Sequence, residues 1–414
     1  MDFQPDLIVV LDLGKSRLKI IYQIPTQGKV KALFIEPGIA ELSSEEVRHL
    51  QPSRTAAPED DAWLILPNNQ AMAVGFLAET RFAPRCDTKE AKYKIVSGAL
   101  RYLTAIGAIA QREKEALADY KGFASIGTDN TAKYLRIHTT LLLPYLEMPN
   151  ASSLRSELTG IAPQPIQFNF RGQDYTHLSV PDYFKLNILA EGAGQLTLRG
   201  TQLSESEFSQ KNILVLVMGQ YNVTAMLYQR GQCVKIESPA LGFHNLVSFV
   251  LEKTALDASI IRHNQLTEAI YYGRDDRRLL QALLIGKVEK EEHIQQLTKE
   301  MVCVVEEAFK TYWNSTANWL KTMLGPNLVT LDEVLVGGGA SVAFKEEIEK
   351  LFVSAKVIWG GGIKREIAQT FGLKLNDPTI NRLVDAYGVF KRVSQTYQPG
   401  INKVTANSAK NSSS

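Results

Sequence analysis

The chain has 414 residues, 45% hydrophobic and 22% charged, an ordinary globular balance with length enough for two or more domains. Lys+Arg total 46 against Asp+Glu 44, so a net charge of +2 supplies no field that would favour nucleic acid or a membrane surface. Three scattered cysteines, Cys86, Cys233 and Cys303, form neither a disulfide framework nor a metal-ligand spacing and fit a reducing compartment. The opening "MDFQPD" has no basic n-region, and no apolar run reaches the roughly 20 residues a membrane span needs. A cytoplasmic protein without a transmembrane segment is expected. The histidines have no metal spacing, no basic stripe with interleaved aromatics predicts direct nucleic-acid contact, and no nucleophile-elbow pattern marks a hydrolase.

In chain order, Leu7–Leu13 is a near-continuous apolar run, the pattern of a strand covered on both faces. "LKIIYQI" and "KVKALFI" follow as second and third strands of a meander, because the turn at Asp12–Arg17 is too short for a crossover helix. Residues 36–70 read as loop with short strands. Residues 88–115 carry apolar side chains at helical spacing and predict a helix. A strand "KYLRIHTTLLLP", a short helix "NASSLRSELTG", a hairpin turning at Arg171–Asp174 and a strand ending in Glu191–Gly192 come next.

The second half opens in the same way, with "NILVLVMGQYNVTAMLYQRGQCVKI" as strand, glycine turn, strand, turn at Arg230–Gly231 and strand. Helices are predicted at "HNLVSFVLEKT", in a charged region to about residue 296, and over roughly 298–323. A strand–glycine–helix unit, "LDEVLVGGGASVAFKEEIEKLF", precedes a closing helix that starts at Asp377–Pro378. The polar end 397–414 reads as a disordered tail. The repeated opening suggests an internal duplication and two α/β lobes.

Two stretches point to chemistry. In "DLGKSRLK" a tight turn exposes backbone N–H groups, and Gly14 lets a ligand approach them closely. Lys15, Ser16 and Lys19 add donors and charge, and Asp12 is placed to hold magnesium through water. The same residues also suit a plain hairpin with a solvated turn. In "VLVGGGASVAF" a strand runs through Gly337, Gly338 and Gly339 into a helix, a device for laying a ligand on a helix N-terminus; a flexible loop is the other reading. The later triplet, Gly360–Gly362, reads as a loop.

"DLGKSRLK", "VMGQYNVT" and "VLVGGGA" follow the order and spacing of the two phosphate loops and the adenosine loop of the actin superfamily. The chain most resembles bacterial actin-like ATPases of the ParM and plasmid Alp type, over almost its whole length. "AVGFLAET", "FNFRGQDYTHLSVPDYFKLNILAEGAG" and "DPTINRLVDAYGVFK" add to the likeness. The resemblance implies a two-lobed, ribonuclease-H-like duplicated fold with a nucleotide cleft between lobes. It divides the chain into 1–178 (with an insertion at about 30–90), 179–396 and the tail. It implies ATP or GTP with magnesium, Asp12 facing the metal, and Gly14, Lys15 and Ser16 around the β- and γ-phosphates, with Lys19 reaching them. Glu191 would orient the attacking water. Gly219, Gln220 and Asn222 would form the second phosphate loop, and Gly337, Gly338 and Gly339 would lie under the ribose and α-phosphate. Lys299 and Glu300, opening the long helix, would approach the adenosine.

The second loop departs from the family, which has a magnesium-facing acid where this chain has Val217, and Tyr221 is bulky for a phosphate loop. Losing one charge-assisted interaction costs on the order of 1.5–3 kcal/mol, about tenfold to a hundredfold in rate if it acts in the transition state. The expectation is a filament-forming nucleoside triphosphatase of slow turnover, with further copies of itself as partners and an adaptor bound to plasmid or other DNA. A nucleotide-bound scaffold that does not hydrolyse is the alternative. A small-molecule kinase of the same superfamily is a further one, with Asp182 as its candidate base.

Overall fold

The computed structural model describes residues 3–51, 55–86, 93–120, 135–161, 166–170, 173–177, 184–254, 256, 263–274, 276–285 and 290–397. Asp182, the tail beyond 397 and the first residues of the helix expected at 88–115 lie outside them.

The strands are β1 (Leu7–Asp12), β2 (Leu18–Gln23), β3 (Val30–Ile35), β4 (Ile39–Leu42), β5 (Ala62–Ile65), β6 (Ala71–Val74), β7 (Ile137–Leu143), β8 (Ile166–Phe170), β9 (Gln173–His177), β10 (Phe184–Ala190), β11 (Ile213–Met218), β12 (Val223–Gln229), β13 (Gln232–Glu237), β14 (Glu333–Gly337) and β15 (Lys356–Trp359). The helices are α1 (Ser44–His49), α2 (Gly75–Arg81), α3 (Gly98–Arg112), α4 (Ala151–Ile161), α5 (Ala193–Gln202), α6 (Glu205–Gln210), α7 (Phe243–Lys253), α8 (His263–Gly273), α9 (Arg277–Ala282), α10 (Glu291–Leu324), α11 (Lys345–Leu351), α12 (Lys364–Phe371) and α13 (Thr379–Thr396). No helix among the described residues is long and apolar enough to cross a membrane.

The chain folds as two compact units: Met1–Leu198 with Arg365–Leu375 and Leu383–Ser414, and Arg199–Lys364 with Asn376–Arg382. The sequence places a boundary at 178/179; in the structure β10 completes the sheet of the first unit, and its parallel pairing with β7 carries that unit through α5 to Leu198. The closing helix is shared, because its first turn belongs to the second unit and the remainder to the first.

The duplication expected from the repeated openings is present in the strand order. One sheet runs β10-β7-β1-β2-β3 and another β13-β12-β11-β14-β15. In each, the first strand pairs antiparallel with the second and the second with the third. In each, the first strand also pairs parallel with a strand far along the chain, which in turn pairs parallel with the next. The parallel pairs need long crossovers, and these carry the helices. A third sheet, β4-β6-β5-β8-β9, is built from the segment predicted as loop with short strands, completed by the β8–β9 hairpin.

Burial explains why these elements form. Every residue of β1, β7 and β11 is buried; the near-continuous apolar run predicts this for β1, while β7 buries His138, Thr139 and Thr140 among its apolar residues. α3 is buried nearly all round and packs within the core of the first unit. In the second unit Phe344 is fully buried, with the rings of Phe309, Tyr312 and Trp313 at 5.3, 5.0 and 5.9 Å. The β12–β13 turn falls at Arg230–Gly231, both with positive φ (52° and 73°), the backbone a tight two-residue hairpin requires.

Two expected boundaries move. α3 starts at Gly98, not near 88, because residues 94–97 form a turn that ends with Ser97 in the left-handed region. α10 starts at Glu291, because Ile294, Thr298 and Met301 already keep a buried helical stripe there; Lys299 and Glu300 are therefore exposed residues two turns inside the helix.

One buried polar contact in the first unit has a pH signature. His138 on β7 lies 2.6 Å through Nδ1 from the Tyr397 hydroxyl and 2.9 Å through Nε2 from the Asn187 amide. Burial, reinforced by the Lys185 ammonium, pushes its imidazole down to about 4. Between about pH 4 and 6.5 the unfolded chain thus binds more protons at this group than the native one, so its contribution is full above the unfolded value and is lost as pH falls. Replacing His138 by Gln is expected to flatten the acid arm of the stability curve between pH 6.5 and 4 by on the order of 2–3 kcal/mol. Denaturant unfolding followed across that range checks this, and an unchanged slope would refute it.

Candidate functional site

The first unit gathers charge at one end of its sheet. β1, β7 and β10 are parallel and in register, with Asp12 beside Leu142 and Leu142 beside Leu189. Their carboxyl ends therefore stop at nearly one level, where open α/β sheets bind ligands. Asp12 ends β1, and Glu191 follows β10, its N–H donating to the Leu143 carbonyl at 2.8 Å. Lys19 is the direct cross-strand partner of Asp12 on β2, so strand pairing itself brings the ammonium to the carboxylate, and the two form an ion pair.

The turn between β1 and β2 is tight. The Gly14 N–H donates to the Asp12 carbonyl at 2.8 Å, and a Cβ on Gly14 would run into the Arg17 carbonyl oxygen. Lys15 on that turn is buried and Ser16 half-buried. Burial brings the Lys15 ammonium down to about 8, with Glu147 opposing and Arg101 and Lys94 adding to the fall.

Lys94 is the residue that sequence reasoning missed. Its ammonium bonds the Glu191 carboxylate and reaches Asp12 Oδ1 at 3.3 Å, so it bridges the two acids. Its backbone is held on three sides. Glu147 accepts the Lys94 N–H at 2.8 Å and the Ile95 N–H at 2.7 Å, and Arg101 donates to the Lys94 carbonyl at 3.0 Å. Burial by itself would raise the Asp12 carboxyl, but the Lys19 and Lys94 charges bring it down to about 2. Burial works against the charge on Lys94, yet Asp12 and Glu191 hold its ammonium well above the usual range. Asp12 is ionised at neutral pH because the two cations are there.

Asp385 on α13, within "DPTINRLVDAYG", is a second residue of this cluster that no local signal marks. Its carboxylate accepts the N–H groups of Gly192 and Gly194, each at 2.7 Å, and of Gln195 at 3.3 Å. It thus caps α5 directly after Glu191 and fixes where that side chain starts. Burial pushes its carboxyl up to about 6 despite those donors, with Glu191 and Asp12 adding to the rise. The helix backbones touch here: a Cβ on Gly194 would overlap the Asp385 carbonyl oxygen.

In the second unit, Gly219, Gln220 and Asn222 form the turn between β11 and β12. The Gly219 N–H donates to the Asn222 carbonyl at 2.9 Å, and the Asn222 amide donates to Thr224 and Ser238 hydroxyls at 3.2 and 3.0 Å. The Gly219, Gln220 and Tyr221 carbonyls accept the N–H groups of Phe243, His244 and Gly242 at 3.1, 2.7 and 3.2 Å, so this turn is tied to the start of α7. Tyr221 packs against the His244 ring at 4.8 Å, which gives the bulky side chain a place. Val217, on β11 beside Gly337 of β14, is buried. Gly338 has φ +87° and its Cβ would meet the Met218 carbonyl, so the two glycine turns lie side by side at the ends of β11 and β14. Gly339 opens a 3-10 turn, Ala340–Phe344, and not the helix expected there directly. Gly338 accepts the Ser341 hydroxyl at 2.8 Å, and Gly339 the Tyr271 hydroxyl at 3.1 Å. Lys299 and Glu300 are exposed on α10, where Glu300 accepts the Gln296 amide at 2.8 Å.

The fold is actin-like. Among solved structures, the chain is similar to a 15-stranded ParM filament from Clostridium botulinum at TM-score 0.60 and 15% identity, covering 94% of this chain and 99% of that one. It is similar to the archaeal actin homologue Ta0583 at TM-score 0.56 and 12% identity, covering 94% and 99%, and to the actin-like protein Alp7A at 0.55 and 14%, covering 97% and 98%. No protein-family model matches the chain, and no curated protein matches it. The ParM and Alp resemblance drawn from the motifs thus holds at the level of the fold, across nearly the whole chain.

Gly194→Ala is expected to force α5 away from α13 and cost about 1–3 kcal/mol, the usual range for overpacking. Denaturant unfolding of the first unit would measure it, and a wild-type midpoint would show that the backbone contact is looser than described.

Proposed function

We propose that this chain is a ParM- or Alp-like filament protein that binds ATP or GTP at the first glycine turn and hydrolyses it slowly, if at all. The observation that carries the reading is the cluster Asp12, Lys15, Lys19, Lys94 and Glu191 at the carboxyl ends of parallel strands, in a chain with an actin-like fold. Lys15 is suited to a phosphate: its buried charge is weakened, and an anion beside it would restore the full ammonium. The Gly14 turn brings backbone close to the same place, and Lys19 supplies a second cation from β2. In the second unit the Gly219 and Gly338 turns are the corresponding candidates for phosphate, ribose and base, with Lys299 and Glu300 further along α10.

Glu191 is the group proposed to position the attacking water. Its carboxylate is engaged by Lys94, and a carboxylate so held is a poorer base than a free one. Val217 stands where the resemblance calls for a second acid. Both features favour slow turnover, and they equally favour a nucleotide-bound scaffold. Filament growth would use head-to-tail contacts that do not close into a ring. The proposed partners are further copies of the chain and, through an adaptor protein, plasmid or other DNA in the cytoplasm; the near-neutral charge argues against direct DNA contact.

The resemblance also brings magnesium, at Asp12. The acids as folded do not fit a dication. Both Asp12 oxygens face ammonium groups, Glu191 shares one of them, and no group of three or more acidic, histidine or cysteine side chains suited to a metal occurs among the described residues.

Light scattering and phosphate release followed together on purified protein test the reading. Scattering is expected to rise on adding ATP or GTP and to persist while phosphate accumulates slowly. Scattering that decays as phosphate appears would mean efficient hydrolysis, and none with any nucleotide would remove the filament. Val217→Asp is expected to raise phosphate release by roughly tenfold, the lower end of what one charge-assisted contact contributes.

A further inference from the structure

We infer that Lys94 is a built-in cation for the first phosphate turn, taking the place of a divalent metal between Asp12 and Glu191, so that nucleotide binding here does not depend on magnesium. The inference rests on the nucleotide reading above but makes its own claim about how the two acids are neutralised.

The geometry is that of a site whose positive charge is already installed. A single ammonium lies within bonding reach of both carboxylates, and Lys19 takes the remaining Asp12 oxygen. The three side chains at the bridge are nearly sealed, with 10%, 12% and 7% of Lys94, Asp12 and Glu191 exposed. Magnesium keeps several of its waters and demands near-octahedral oxygen ligation at about 2.0–2.1 Å. To enter, it would have to displace the ammonium from both acids or sit beside it against direct charge repulsion.

Lys94 is not a long side chain that happened to fold inward. Glu147 grips two successive backbone N–H groups and Arg101 the carbonyl, so the residue's Cα is fixed before its side chain is placed. Glu147 and Arg101 are themselves buried. Such outer support is what positions a functional charge, and it would be wasted on a surface lysine.

The experiment uses the full chain, titrated with a fluorescent ATP analogue in excess magnesium and, separately, in EDTA. Wild type is expected to bind within roughly threefold of the same affinity in both, and Lys94→Arg to follow it. Lys94→Met is expected to lose roughly tenfold in EDTA, about 1.4 kcal/mol, and to recover when magnesium is added. Wild type that binds only with magnesium would overturn the inference without help from any variant. Manganese binding, followed by electron paramagnetic resonance without nucleotide, is the independent arm. Lys94→Met should bind the ion at least roughly tenfold tighter than wild type. Wild-type manganese binding that Asp12→Asn abolishes would also overturn it. If no nucleotide binds in either buffer, the nucleotide reading fails, and the manganese arm still decides whether Lys94 holds a cation's place.

Discussion

Two carboxylates brought together and buried at the ends of parallel strands call for something positive between them, and in this protein that group is the Lys94 ammonium. Most of the first unit's upper end is arranged around that requirement. β1 and β10 deliver Asp12 and Glu191 from opposite sides of β7. The segment after β7 supplies Glu147, which locks the turn carrying Lys94. Asp385 reaches from α13 to the amides after Glu191 and sets the start of α5. Removing one partner of such a set leaves the others buried without compensation, and this makes the cluster more sensitive than any single contact in it.

The two central sheets share one strand order and one pattern of pairing, yet their first turns have separate chemistries. In the first unit the turn is charged and sits beside an acid, a bridging lysine and a cross-strand lysine. In the second, the turn is neutral: Val217 precedes it, Asn222 is held by hydroxyls, and its carbonyls take up amides at the start of α7. A duplicated scaffold keeps its backbone because the parallel pairings and buried strands demand it. The turn residues are free to diverge because few of those pairings pass through them.

That divergence bears on function. A nucleotide enzyme gains rate only from groups arranged for the transition state. On the proposed reading, the carboxylate that would orient water, Glu191, is paired with Lys94, and the buried Val217 stands where the resemblance calls for a second acid. Binding asks less of the site than hydrolysis does, since a glycine turn and two lysines suffice to hold phosphate charge. On the proposed reading, such an arrangement would bind nucleotide and release phosphate slowly, and in a filament it would favour persistence over turnover.

Most strands, the two meanders and the repeated opening were legible in the sequence because apolar runs, glycine turns and hairpin residues are local signals. So were Asp12 and Lys19, seven residues apart on a hairpin whose register pairs them. Glu191 was legible only through likeness to a family, since nothing in the residues around a strand end distinguishes a working acid from a solvated one. The third sheet escaped notice because its strands are short and its completing hairpin lies a hundred residues away. Lys94 escaped for a similar reason: periodicity placed it on a helix, whereas the turn before Gly98 is imposed by Glu147 and Arg101, partners 53 and seven residues distant. By itself, then, the sequence determined the elements and the first charged turn. Only tertiary structure decided which cation meets which acid, because burial of a charge is a property of the neighbours that long crossovers bring together.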